Sequence, residues 1–340
     1  MEVSVIVCHH KGNFIRKFVN SVKESVNVDY EIIVVTSDDE LASSGISGCL
    51  VVNNYGGPAE KRNVGARLAK GKYLAFFDDD VEVEPRCLEW LLYAFTLDFS
   101  GFRNKEVGMV YSKIYNMEHR NRLDEAGGYL TRTGFIWSRA GQNDIDVGQY
   151  KGYEEILAGK SASCMIEADL FFKIGGFDED FWILGEETDL SWRVWLYGRK
   201  VIYAPLSVAY HAFNTRFKPA TEFYTSKRVH YNGCRNYITM LIKNLEARNL
   251  WKILPVHILI WFTVAIAMLF IGKIGQGVNI LRGLGYVLCN LGLILRKRKE
   301  VQEKRVRSDR DIWPYIFRAS PPRGYYSNRV KRYLKIGLHG

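Results

Sequence analysis

Gly71-Lys72-Tyr73-Leu74-Ala75-Phe76-Phe77-Asp78-Asp79-Asp80 is the run on which the reading of this chain turns. Its centre, Tyr73 to Phe77, is a continuous apolar stretch of strand length. An apolar run without polar alternation suits a strand covered on both faces. Three adjacent carboxylates then end it abruptly. Carboxylates this close repel one another, so they ionise together only where water or a cation compensates. Mg2+ or Mn2+, with oxygen ligands and above all when already held by diphosphate oxygens, is the natural compensator. The plainer alternative is a turn capping a helix that begins near Pro85.

Working outward, the first third of the chain alternates strand and helix. Val3–Cys8, Glu31–Val35 and Cys49–Val52 read as strands, and Phe14–Val26 and Pro58–Ala69 as helices. Apolar strands interleaved with helices predict a mostly parallel sheet covered on both faces, with ligands at the carboxyl ends of its strands. His9, His10, Lys11 and Gly12 follow the first strand, and Thr36, Ser37, Asp38 and Asp39 the second. Together with Asp78–Asp80 they fall on one edge, where a phosphate-bearing ligand would sit. From Val107 the pattern becomes strand-like with Gly-rich turns, then a helix at Glu186–Tyr197 and a strand at Lys200–Tyr203. Glu186, Glu187 and Asp189 open that helix, either as partners of its dipole or as a general base beside an acceptor hydroxyl. His211, after Val208-Ala209-Tyr210, is a candidate nitrogen ligand for the same metal, although a lone histidine is more often structural.

The chain has 340 residues, with 47 Lys and Arg against 37 Asp and Glu. Residues 296–340 hold 14 of the bases and 4 of the acids, so this tail carries the whole net charge of +10. Such a tail attracts anionic surfaces, phospholipid or nucleic acid alike. The six cysteines show no paired or finger spacing, which suits a reducing compartment, and the start reads as a strand rather than a secretory signal. Ile253–Ile271 is nineteen residues without a formal charge, close to the ~20 that cross a bilayer as a helix. A helix around Glu222–Glu246 leads into it. Ile274–Leu295 is apolar but carries Arg282 and several glycines, the pattern of an in-plane or re-entrant helix. Arg296-Lys297-Arg298-Lys299 then reads as a polybasic segment on a cytoplasmic membrane face.

Read in order, Val3–Val7, Glu31–Val35, Gly57–Gly65, Gly71–Asp80, Gly175-Gly176-Phe177-Asp178-Glu179, Glu186–Arg193 and Gly198…Pro205…His211 resemble the family 2 glycosyltransferases of GT-A fold, over roughly residues 1–215. The resemblance implies a metal-dependent, inverting transfer from a UDP-, GDP- or dTDP-sugar to a saccharide hydroxyl. It implies Asp80, Asp78 and His211 at the metal, and Cys8, His9, Ser37, Asp38, Arg62, Asn63, Asp78 and Asp79 around the nucleotide. Glu187 stands where the family has an Asp base, so Glu186 or Asp189 could hold that role instead. After the second strand, Thr36-Ser37-Asp38-Asp39 replaces the family's Asp-Asp-Gly-Ser, which leaves the base-contacting residue open. The Gly-Gly-Phe-Asp-Glu and Glu-Glu-x-Asp-Leu runs look rhamnosyltransferase-like. A polyprenyl-phosphate sugar synthase and a non-catalytic nucleotide-binding scaffold are the alternatives; a nucleic-acid partner would leave the acidic clusters unexplained. The expected organisation is a catalytic domain at 1–220, a membrane-associating helical region at 221–295 and a basic tail at 296–340. A lipid-linked glycan is the expected acceptor and the cytoplasmic face of the cell membrane the expected location.

Overall fold

The structure, a computed structural model, describes residues 1–97, 106–140, 144–212 and 227–318. The elements run β1 (Val3–His9), α1 (Phe14–Lys23), β2 (Tyr30–Thr36), α2 (Asp39–Ser44), β3 (Leu50–Asn53), α3 (Pro58–Leu68), β4 (Tyr73–Asp78), β5 (Val81–Val83) and α4 (Cys87–Ala94). Then come β6 (Val107–Asn116), β7 (Leu123–Glu125), β8 (Gly128–Thr131), β9 (Ile136–Ser138), β10 (Glu154–Glu155), β11 (Ser163–Glu167), α5 (Ala168–Lys173), α6 (Glu186–Leu196) and β12 (Lys200–His211). A helical region closes the described chain: α7 (Lys227–Asn244), α8 (Ala247–Phe270), α9 (Ile274–Cys289), α10 (Leu291–Glu303), α11 (Asp309–Ile316) and the short β13 (Phe317–Arg318). Residues 222–226 of the helix expected at Glu222–Glu246, and 319–340 of the basic tail, lie outside the described residues.

The main sheet has the order β10-β12-β6-β11-β4-β1-β2-β3. Its β3-β2-β1-β4 half is parallel, β12 pairs with β6 in parallel, and β11 runs antiparallel between the two halves. This is the mixed, mostly parallel α/β sheet that the strand–helix alternation predicts. Strand period decides which core each side chain enters. On β1 and β4, Ile6, Leu74 and Phe76 join one buried cluster, while Val5, Val7, Ala75 and Phe77 join the other. The apolar runs are unbroken because both faces are covered. β12 is longer than its expected Lys200–Tyr203, and its extension to His211 carries that histidine alongside β5, where His211 registers with Val81.

The helical region shares a hydrophobic core with the main sheet. Met240, Leu241 and Leu245 around the end of α7, Ile253 of α8, and Ile312 and Ile316 of α11 belong to the same buried cluster as Ile6 and Phe76. α8 is also tied to the β8–β9 turn, since His257 Nδ1 lies 2.7 Å from the Thr133 carbonyl. α9 and α10 meet at a bend of 68°, so the second apolar stretch is a broken pair. Arg296–Lys299 is helical, with Arg296 and Lys299 exposed and the other two bases engaged by the fold. It forms part of α10, with Lys297 on Asp178 and Asp180 and Arg298 on the Ile242 and Leu245 carbonyls. Lysine and arginine amid a folded acidic loop and uncapped helix carbonyls find partners nearer than lipid.

α3 lies on β1 at Gly65, where a Cβ would come within 2.4 Å of Ile6 Cγ2. Gly65→Ala should therefore destabilise the fold by about 1–3 kcal/mol through overpacking, despite alanine's better helix propensity. Urea unfolding of the two proteins measures it; equal midpoints would mean that α3 can lift off the sheet without loss.

Candidate active site

Parallel pairing sets the site. Cys8 registers with Asp78 across β1 and β4, and His9 with Thr36 across β1 and β2, so the polar residues after three strands share one rim. The triplet does not cap α4, which begins at Cys87 behind Arg86, and β5 follows the aspartates directly. Asp78, Asp80 and His211 come together with ligand atoms all within 4.8 Å of one another. Two carboxylates and an imidazole are a donor set that suits Mg2+ or Mn2+, more so Mn2+ for the nitrogen. Asp79 faces the other way, with Oδ2 2.7 Å from His9 Nδ1 in a buried pair.

His211 is held from both sides, with Nε2 3.4 Å from Asp80 Oδ1 and Nδ1 2.8 Å from Asp124 Oδ2. Burial disfavours its charged form, but Asp80 and Asp124 outweigh burial and raise it to about 10. Asp124 itself also meets Lys160 Nζ at 2.6 Å. Burial alone would raise Asp124, but Lys160 and the His211 hydrogen bond keep it well below the ordinary carboxylate range.

Arg62 joins the two acidic clusters. From within α3 its Nη2 donates to Asp78 Oδ1 at 2.8 Å and its Nη1 to Glu186 Oε1 at 3.0 Å. Glu187 is partly buried beside Glu186, and burial followed by that neighbouring carboxylate pushes it well above the usual carboxylate range. Asp189 is not brought to this cleft. It is fully buried on Lys243, Arg193 and Asn244, and the two cations hold it below its ordinary value against the cost of burial. The loop before Glu186 is strained, with Trp182 and Leu184 at φ of 53° and 73°. Asn236 of α7 holds it, its side-chain amide donating to the carbonyls of Phe181, Ile183 and Leu184.

The remaining expected residues divide. Ser37 Oγ lies 2.7 Å from His10 Nδ1 and accepts from Lys61 Nζ at 3.0 Å, on the rim. Cys8 is half-buried with its thiol toward the Pro58 carbonyl, and desolvation pushes that thiol up to about 12, so it stays protonated. Asp38 caps α2 by accepting from the Glu40 and Leu41 amides. Asn63 exchanges hydrogen bonds with the Phe177 backbone and also binds Glu179, locking the Gly175–Glu179 loop instead of lining the rim. Sequence reasoning passed over Asp124, Glu125 and Lys160. The acidic pair Asp124-Glu125 ahead of Ala126-Gly127-Gly128 was its one visible signal. Two cavities flank the site. One of 750 Å3 lies between the Gly175–Asp180 loop and α10, away from the metal cluster and bordered by Arg67, Lys243 and Lys297. A smaller one of 240 Å3 is lined by Glu125 and Glu187.

One rim of a mostly parallel sheet thus gathers a two-carboxylate-plus-imidazole cluster that could hold a divalent cation and, beside it, a second acidic helix start. Residues 4–102 match the sequence model described as Glycosyl transferase family 2. The pre-mycofactocin glycosyltransferase of Mycobacterium tuberculosis is 25% identical over 236 residues, covering 67% of this chain and 45% of that protein. N-acetylgalactosaminyltransferase 4 of Drosophila melanogaster is 26% identical over 165 residues, 46% of this chain and 24% of that one. The O-antigen biosynthesis protein RfbC of Myxococcus xanthus is 29% identical over 146 residues, 41% of this chain and 11% of that one. The chain thus spans less than half the length of these relatives. Among solved structures, GalNAc-T7 with UDP, GalNAc and Mn2+ superposes with a TM-score of 0.49 at 18% identity, covering 71% of this chain and 50% of that one.

Asp80→Asn and His211→Ala should each abolish most of the thermal stabilisation by Mn2+, while Asp79→Asn should retain it. Differential scanning fluorimetry with and without the ion checks this, and an undiminished shift in Asp80→Asn would place the ion elsewhere. Glu125 supplies a separate prediction. Burial raises it from an ordinary 4.5 to about 7. Between those values the unfolded chain has lost a proton that the fold retains, so stability falls as pH rises through the window. Glu125→Gln should thus gain Tm relative to the parent from pH 4.5 to 7 and show no growing gap below it; a pH-independent difference would mean the carboxyl is solvated.

Proposed function

We propose that the protein is an inverting, metal-dependent glycosyltransferase that moves a sugar from a nucleotide-sugar to a saccharide hydroxyl, on a lipid-linked glycan at the cytoplasmic face of a membrane. The observation that carries this reading is the convergence of Asp78, Asp80 and His211, with Arg62 joining Asp78 to the Glu186–Glu187 helix start. Asp78, Asp80 and His211 would hold Mg2+ or Mn2+, which when bound neutralises charge developing on a diphosphate leaving group. In the transfer the acceptor oxygen bonds to the anomeric carbon as the bond from that carbon to the diphosphate oxygen breaks. The bonding electrons leave with the diphosphate, and Glu187 takes the hydroxyl proton. A single displacement of this kind inverts the anomeric centre. Burial and Glu186 make Glu187 a stronger base than an exposed carboxylate, while Arg62 opposes its protonation.

The membrane part rests on α8, with 24 residues and a mean hydropathy of 2.4 in its most apolar window. It also rests on large apolar side chains left exposed on α8 and α9, among them Leu259, Phe262, Phe270, Ile274 and Leu288. A contiguous exposed apolar face of this kind suits a bilayer surface. Packing of α8 on Thr133 and α7 favours a helix lying along the membrane over one standing free within it.

Glu187→Gln should lower the transfer rate by about 10²–10⁴-fold with donor binding retained. In the parent protein the rate should climb with pH through a value above the ordinary carboxylate range, because transfer needs Glu187 unprotonated. Both are read from nucleoside diphosphate release by membrane fractions supplied with Mn2+, UDP-, GDP- and dTDP-sugars and a lipid-diphosphate-sugar. Full activity of Glu187→Gln would remove it as the base, and transfer to soluble acceptors alone would remove the lipid-linked one.

A further inference from the structure

Two contact chains leave the metal cluster and end in one cavity. From Asp80 contacts pass through His211 to Asp124, whose neighbour in sequence is Glu125. From Asp78 they pass through Arg62 to Glu186, whose neighbour is Glu187. Glu125, Glu187 and Lys160 all line the 240 Å3 cavity, and Lys160 also meets Asp124. The facing wall comes from the helical region, with Gly233 and Tyr237 on α7 and Trp261 on α8.

That wall is fixed in place. Trp261 Nε1 donates to His257 Nε2 at 2.9 Å, and His257 Nδ1 lies 2.7 Å from the Thr133 carbonyl, so the indole is tied through α8 to the β8–β9 turn. Phe135 of that turn packs against the indole with ring centroids 5.6 Å apart. Gly233 leaves room beside it: a Cβ there would stand 3.6 Å from the Trp261 ring, an ordinary contact. The cavity therefore has two carboxyl groups and the Lys160 ammonium on its polar side and a rigid aromatic surface opposite. A sugar ring matches both, with hydroxyls toward the carboxyls and C–H face on the indole. An acyl chain would offer no hydrogen-bonding group to Glu125, Glu187 or Lys160.

We infer that this cavity is the subsite for the acceptor's sugar ring, that the C-terminal helices build its aromatic wall, and that Glu125 holds the ring while its hydroxyl meets Glu187. The inference rests on the glycosyltransferase reading for the role of Glu187, and it makes α7 and α8 determinants of which acceptor is used.

The test uses the full chain with methyl glycosides of glucose, galactose, mannose, rhamnose and N-acetylglucosamine as probes, their binding followed by saturation-transfer NMR. At least one should bind the parent protein, and Trp261→Ala should weaken it by about tenfold, the loss of one aromatic platform. Gly233→Ala should weaken it as well while keeping or raising Tm, since alanine suits the helix and fits the 3.6 Å gap, so misfolding cannot explain its loss. Glu125→Gln should raise the acceptor KM with the donor KM unchanged. Stabilisation by Mn2+ alone should persist in all three variants. The inference is overturned if no glycoside binds the parent, or if Gly233→Ala and Trp261→Ala bind as the parent does. Failure of the glycosyltransferase reading shows separately, as no Mn2+-dependent diphosphate release by the parent from any donor, with the glycoside measurement still deciding the subsite.

Discussion

A buried guanidinium between two carboxylates is the constraint on which the site depends. Arg62 is almost wholly inaccessible, and its two terminal nitrogens are divided between Asp78 at the end of β4 and Glu186 at the start of α6. An isolated charge in that position would be severely penalised, and so would either carboxylate without it. Each partner thus requires the others in place. The requirement links residues 16 and 124 positions apart in sequence and brings the triplet and the helix start to one cleft. Truncation of the arginine leaves the buried Glu186 uncompensated, a loss of about 3–5 kcal/mol for a buried pair.

Around that arginine the scaffold is arranged to limit movement. Asn63, the next residue along α3, fastens the Gly175–Glu179 loop through its backbone bonds to Phe177. Asn236 of α7 fastens the following segment, where Trp182 and Leu184 hold left-handed backbone conformations. Backbone strain of this kind persists only where surrounding contacts over-determine it. Lys243 and Lys297 complete the clamp on Asp178. The helices after residue 226 accordingly hold α6 in position, and Lys243 and Lys297 serve the protein's own acidic loop.

Much of this was legible along the chain. Unbroken apolar runs specify strands buried on both faces, and the acids after β4, the Glu186–Asp189 helix start and His211 stand out as chemistry because polar residues at strand ends are not needed for packing. Several residues were read less well for a physical reason. Asp38, Asn63 and Asp189 carry the same side chains that bind ligands, yet each is occupied by a backbone amide, a loop or buried cations. Residue type states what a group can bond, and only its neighbours decide what it does bond. Asp124, Glu125 and Trp261 escaped notice because their importance lies in contacts with His211, Glu187 and His257, far away in sequence.

By itself the sequence determined the strand–helix alternation, the face of each strand residue and the end of the sheet at which charge collects, since these follow from local periodicity. Tertiary structure decided which carboxylates share the Arg62 cation, which are sealed in ion pairs, and that the apolar C-terminal helices wall a cavity beside Glu187. Those outcomes depend on desolvation and distance between residues remote along the chain, quantities that exist only once it has folded.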